Sequence, residues 1–134
     1  MKTETKFWQG LKTRLLPHLP SPTHVQRLEP GSAAPGCPDV NICAAGREVW
    51  IENKVVSRGR KVSTLTAAQV AWLTRRAHCG GRVWIVCLHV PTDEVLVWPG
   101  KMAQEVMEKG IFASPSCRLT QPWDARELAL TLLS

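Results

Sequence analysis

The chain has 134 residues and a mass of 14.9 kDa, enough for one buried core but not two. Its 44% hydrophobic and 21% charged composition excludes a disordered tail, a collagen-like repeat and a coiled-coil rod. No stretch approaches the roughly 20 apolar residues of a membrane span, and the opening MKTETKFWQG lacks a signal-type apolar segment, so we expect a soluble cytoplasmic protein with a net charge of +6.

In chain order, Thr5 to Leu16 carries Phe7, Trp8, Leu11 and Leu15 at helical spacing, and Pro17 ends that pattern. Residues 17–38 hold six prolines and read as a punctuated connection with a short strand at His24 to Leu28. Val40 to Cys43 and Glu48 to Val56 read as a hairpin turning through Ala44-Ala45-Gly46-Arg47. Alternation along its second strand puts Val49, Ile51 and Asn53 on one face and Trp50, Glu52 and Lys54 on the other. Thr66-Ala67-Ala68-Gln69 has the form of a capping box opening a helix through Val70, Leu73 and Ala77, which Gly80-Gly81 stops. Arg82 to Val90 is the apolar, β-branched run of a buried strand. Pro91-Thr92-Asp93 turns the chain into a strand at Glu94 to Trp98. Lys101 to Lys109 reads as a helix closed by Gly110, and Asp124 to Leu133 as a last helix with Asp124 as its N-cap. The order α-β-β-β-α-β-β-α-α predicts a single α/β domain over residues 1–134, a mixed sheet flanked by helices.

The positive charge is concentrated in one segment. Residues 47–82 carry eight bases against two acids, and Arg58-Gly59-Arg60-Lys61 reads as an exposed, mobile loop. Such a patch suits a polyanion, because neutralising phosphates releases counterions; a merely solvated basic face is the bland alternative. The five cysteines show no C-x-x-C pair or zinc spacing, and are read as small reduced hydrophobes. The four histidines receive no catalytic role. Trp50 and Trp72 are read as core rather than as stacking platforms. Trp8, Trp84, Trp98 and Trp123 are expected to pack, with Trp123 a candidate for a subunit contact.

Three short motifs and one helix residue remain: Arg27-x-Glu29, Gly36-x-Pro38-Asp39, Glu52-Asn53-Lys54, and Gln69 on the following helix. Singly, each is ordinary surface chemistry, and Glu52 with Lys54 is equally a cross-strand ion pair. Together they suit phosphodiester hydrolysis. That reaction needs a hard cation to offset charge growing on the phosphate, and Mg²⁺ takes a few carboxylate oxygens while keeping several waters. Asp39 and Glu52 on neighbouring strands can supply those oxygens, with the Asn53 backbone carbonyl a third candidate ligand. Lys54 projects beside Glu52, placed to orient or deprotonate the attacking water or to steady the pentavalent phosphate, alternatives that the residues leave open.

This ordered set resembles the PD-(D/E)xK nuclease superfamily, and within it the VRR-NUC-type phage nucleases and the archaeal-type Holliday junction resolvases. The resemblance spans about residues 24 to 98 and includes Trp72 and the Gly-Gly turn before the apolar strand. Asn53, where the family often has an apolar residue, and Pro30 after Glu29 depart from its pattern. The resemblance implies a restriction-endonuclease-like core at about 24–98, with the N- and C-terminal helices packed on it. It implies a structure-specific endodeoxyribonuclease using Mg²⁺, with Mn²⁺ as a substitute. The expected substrate is branched DNA, a four-way junction first, cut by a homodimer; alternatives are a flap, nick or duplex endonuclease of phage replication or repair, or an inactive DNA-binding relative. Glu29 would be an outer-shell or second-metal acid, and Gln69 a support for the lysine or the scissile phosphate, or else simply a capping residue. Arg58, Arg60 and Lys61 would reach phosphates flanking the cut, and Arg75 and Arg76 would extend that track or face solvent.

Overall fold

The structure, a computed structural model, describes residues 3–28 and 34–134. Helix α1, Glu4–Leu15, starts one residue earlier than its apolar pattern suggests, because the Thr3 hydroxyl accepts from the Lys6 N–H and caps it. Pro17 does not stop the chain abruptly. A 3-10 turn, Leu16–His18, carries on from the helix with proline in its first turn, where a missing N–H costs nothing. Three strands follow: β1 at Thr23–Arg27, β2 at Val40–Ala44 and β3 at Arg47–Val56. The β2–β3 connection is tighter than the four-residue turn expected, since Ala45 and Gly46 alone make it, with φ of 52° and 73°. Two consecutive positive φ values give the hairpin turn whose twist matches the flanking strands.

Helix α2, Ala67–His78, begins with the reciprocal capping box foreseen at Thr66 and Gln69. Strand β4, Arg82–His89, ends one residue short of the predicted run, because Val90-Pro91-Thr92 folds into a 3-10 turn. Strand β5 is Glu94–Pro99. The helix expected from Lys101 divides into a 3-10 turn, Gly100–Met102, and helix α3, Ala103–Lys109. A three-residue strand that the sequence did not announce, β6 at Cys117–Leu119, comes before helix α4, Ala125–Leu132, where Asp124 caps as expected.

The six strands form one mixed sheet in the order β1-β2-β3-β4-β5-β6. Only β3 and β4 run parallel, joined by the α2 crossover; the other pairs are antiparallel. Helices α1 and α4 cover one face, burying Phe7, Leu11, Leu15 and Leu128 against Ile42, Ile51 and Val86. Helices α2 and α3 cover the other, burying Leu73 and Val106 with Ile85, Leu96 and Trp98. Sheathed on both sides, β4 is buried from Val83 to His89, which is why its sequence shows no polar alternation. Trp84 and Trp98 are buried with their indole N–H groups donating to the carbonyls of Leu132 and Ala113 at 3.2 and 2.9 Å. Trp123 is half-buried, edge-on to Phe7 and under the Arg14 guanidinium. No helix among the described residues is long and apolar enough to cross a membrane.

Candidate active site

The site lies where β3 outruns its neighbour. β2 pairs only with the first half of β3, ending at Val40 opposite Ile51, whereas Glu52 to Val56 pair with β4 alone. Strand alternation turns Trp50, Glu52, Lys54 and Val56 toward α2, and Val49, Ile51, Asn53 and Val55 toward α1. Asp39 stands one step beyond the Val40–Ile51 pair, alongside Glu52, and its carbonyl accepts the Leu28 N–H at 2.7 Å. The segment before it is pressed against the first turn of α2. At Gly36, whose φ is 81°, a Cβ would run into the Ala68 carbonyl oxygen and the Gln69 nitrogen, so only glycine lets the chain pass there.

Lys54 is 2% exposed, an unusual depth for an ammonium, and three groups compensate it. Its Nζ donates to the Thr64 carbonyl at 2.8 Å and stands 3.7 Å from both Glu52 Oε2 and Glu4 Oε1. Glu4 comes from the first turn of α1, which reaches the open edge of β3, and accepts from the Thr64 hydroxyl at 3.2 Å. Asp39 Oδ2 is 3.4 Å from an Arg27 guanidinium nitrogen, and Arg27 also donates to the Thr5 hydroxyl at 2.8 Å. The start of α1 is thus tied both to the lysine and, through Arg27, to the aspartate. Burial pushes the Glu52 carboxyl up to about 7, against the pull of Lys54 and with a further push from Asp39. Near neutrality Glu52 is poised between its acid and its anion.

One oxygen of each carboxylate, Asp39 Oδ1 and Glu52 Oε1, is buried with no hydrogen-bond partner among the described residues. Two neighbouring all-oxygen donors lacking partners fit a hard divalent cation such as Mg²⁺ or Mn²⁺. No group of three or more His, Cys, Asp or Glu side chains that could hold an ion occurs among the described residues.

Of the residues singled out by sequence, Asp39, Glu52 and Lys54 come together on one face. Glu29 lies outside the described residues. The Gln69 side-chain oxygen accepts the Thr66 N–H at 3.0 Å, so its capping role is realised, while its position beside Gly36 keeps it at the edge of the site. The Asn53 side chain points to the α1 side, 3% exposed, with neither amide atom bonded to a described residue. Arg75 is exposed on α2. Arg76 is already engaged: it pairs with Glu48 at 3.4 Å and lies over the rings of Trp50 and Trp72, which meet edge-on at 5.5 Å between centroids. These two tryptophans are half-buried and pack against the core on the α2 side.

The basic loop needs correction. It is exposed, but tied down: His89 Nε2 lies 3.0 Å from the Gly59 carbonyl, and the Ile111 N–H donates to the Arg60 carbonyl at 2.9 Å. Two residues escaped the sequence reading. Glu4 belongs to no motif, and only the tertiary placement of α1 brings it to Lys54. His89 sits at the end of an apolar strand and bridges nearby Thr92 to Gly59, thirty residues away.

No family model matches the chain, and no curated protein matches it. Among solved structures it is similar to Hjc, a Holliday junction resolvase from the archaeal hyperthermophile Archaeoglobus fulgidus, with a TM-score of 0.60 at 16% identity. The likeness covers 95% of this chain and 98% of that one. The fold is restriction-endonuclease-like. In this restriction-endonuclease-like fold, the mixed sheet and its flanking helices hold Asp39, Glu52 and Lys54 on one face where β3 outruns β2.

Proposed function

We propose that the protein is a divalent-metal-dependent, structure-specific endodeoxyribonuclease of the PD-(D/E)xK type, acting as a homodimer on branched DNA, with the four-way junction as first substrate. One observation carries this reading: Asp39 and Glu52 stand side by side, each with a buried oxygen unpartnered among the described residues, and a buried lysine adjoins them. Asp39 and Glu52 would hold Mg²⁺ or Mn²⁺, with the Asn53 backbone carbonyl as a further ligand and Glu29 as an outer acid. Bound there, the cation would offset charge on the phosphate and ease deprotonation of water. Lys54, held by Thr64 and Glu4, would keep its ammonium beside the attacked phosphate. Arg27 would steady the Asp39 side chain, and Gln69 would support the phosphate through its amide nitrogen. Arg58 and Lys61 would bind the flanking backbone, and a second subunit would present the same groups to the opposed strand.

The test is incubation of a labelled four-way junction with Mg²⁺ beside flap, nicked and linear duplexes of matched length. Paired symmetric nicks, lost in Asp39→Ala and Lys54→Ala, are expected. Preferential cutting of linear duplex would overturn the junction assignment, and binding without cutting by the unmodified chain would overturn the catalytic one.

A further inference from the structure

The described residues carry one large aromatic side chain that is mostly exposed. Phe112 is 67% exposed, yet the backbone beneath it is pinned. It ends a 3-10 turn, Gly110–Phe112, between half-buried Ile111 and buried Ala113. The Ile111 N–H donates to the Arg60 carbonyl, the Ala113 N–H donates to the Gly110 carbonyl at 3.1 Å, and the Ala113 carbonyl accepts from Trp98. At Gly110 a Cβ would strike the Arg60 carbonyl, so the turn and the basic loop fit only through a glycine. The Arg60 guanidinium lies 5.4 Å from the ring centroid, with exposed Arg58 and Lys61 in the same loop. The loop adjoins the site directly: it follows Val56, two residues beyond Lys54, and continues to Thr64, which binds the Lys54 ammonium.

An exposed ring on a rigid base gains contact area from a planar partner with little ordering cost, and arginine beside an aromatic is the pairing that stacks nucleobases. The surrounding charge selects the partner. A second copy of the same patch would set Arg58, Arg60 and Lys61 against their own duplicates, whereas a nucleic acid brings phosphates to them. Continuous duplex offers phosphates but keeps its bases stacked inside. From this we infer that Phe112, backed by Arg60, is a stacking platform for a base whose face is exposed at the branch point, and that it gives the enzyme its preference for branched over continuous DNA. This rests on the nuclease reading and names the feature of the substrate that the site recognises.

The experiment measures equilibrium binding in EDTA, by anisotropy, to a four-way junction and to a linear duplex of equal length, with 2-aminopurine at the branch point. Phe112→Ala is expected to weaken junction binding about tenfold, with duplex binding unchanged within about twofold; Phe112→Trp should restore it. The unmodified protein should quench the 2-aminopurine emission, and Phe112→Ala should not. Equal losses on both DNAs, or no loss on the junction, would overturn the platform. So would a change of oligomeric state in Phe112→Ala with DNA affinity intact, which would assign the ring to a subunit contact. Junction cleavage by the unmodified protein with Phe112→Ala indistinguishable in binding would sink the platform and leave the nuclease standing; quenching without cleavage in Mg²⁺ would do the reverse.

Discussion

Glu52 spends its surroundings on staying protonated. In the unfolded chain its carboxyl titrates near 4.5, and in the folded, metal-free protein near 7. The folded state therefore binds the extra proton between those values, and stability falls as pH rises through that window. The loss amounts to about 3 kcal/mol by pH 8. Glu52→Gln should abolish that slope while eliminating metal-dependent cutting, which denaturant titrations at pH 5 and pH 8 would check. Binding of the proposed cation would displace the same proton, so apparent metal affinity should fall as pH drops below about 7, and calorimetry should record proton release. Lys54→Met leaves Glu52 buried without its counter-charge and should destabilise more at pH 8 than at pH 5. The spacing of Asp39, Glu52 and Lys54 was legible because alternation and hairpin pairing are local rules. Glu4 was not, since nothing between residues 4 and 54 in the chain states where a helix start will dock. Asn53 is the remaining oddity: a buried amide bonded to no described residue should be replaceable, and Asn53→Val is expected to raise stability by about 1–2 kcal/mol in thermal melts.

Among the elements, β3 has two distinct halves. Its first half is stapled by β2 and sets the register of Asp39 against Glu52, and its second half is paired on one side and open to the start of α1. The approach of Gly36 to the first turn of α2 links the aspartate to the helix cap. Gly36→Ala should cost about 1–3 kcal/mol and lower cleavage more than DNA binding, because it displaces Asp39 while sparing the basic loop. Comparison of binding and cleavage in that variant decides the point. Most elements were readable from capping residues, punctuating prolines and apolar period. β6 was missed because three residues of Cys-Arg-Leu carry no period. The loop at 58–61 was misread as mobile because its restraints, His89 and Ile111, lie far along the chain and leave no local trace.

At the level of the whole molecule, Arg58, Arg60 and Lys61 follow β3, and Arg75 and Arg76 lie on α2, which covers the Lys54 face, whereas Arg47 and Arg82 turn to the α1–α4 side. Binding to any DNA should then weaken linearly in log salt, and Arg58→Ala or Lys61→Ala should each lower that slope by about 0.9 if it contacts one phosphate. Light scattering of the proposed homodimer should give twice the 14.9 kDa chain mass. The α/β class was legible from element order alone, and the likeness to a solved structure at 16% identity is one of fold. Strand order was less so, since the edge positions of β1 and β6 depend on packing by α1 and α4.

The tether between Glu4 and Lys54 has a practical corollary for anyone labelling or immobilising the protein. Cargo joined at the start of α1 would lie beside the Lys54 ammonium, where the proposed nuclease would admit its nucleic acid. Cargo joined behind Ser134, whose carbonyl meets Arg82 at the far end of β4, would leave that approach clear.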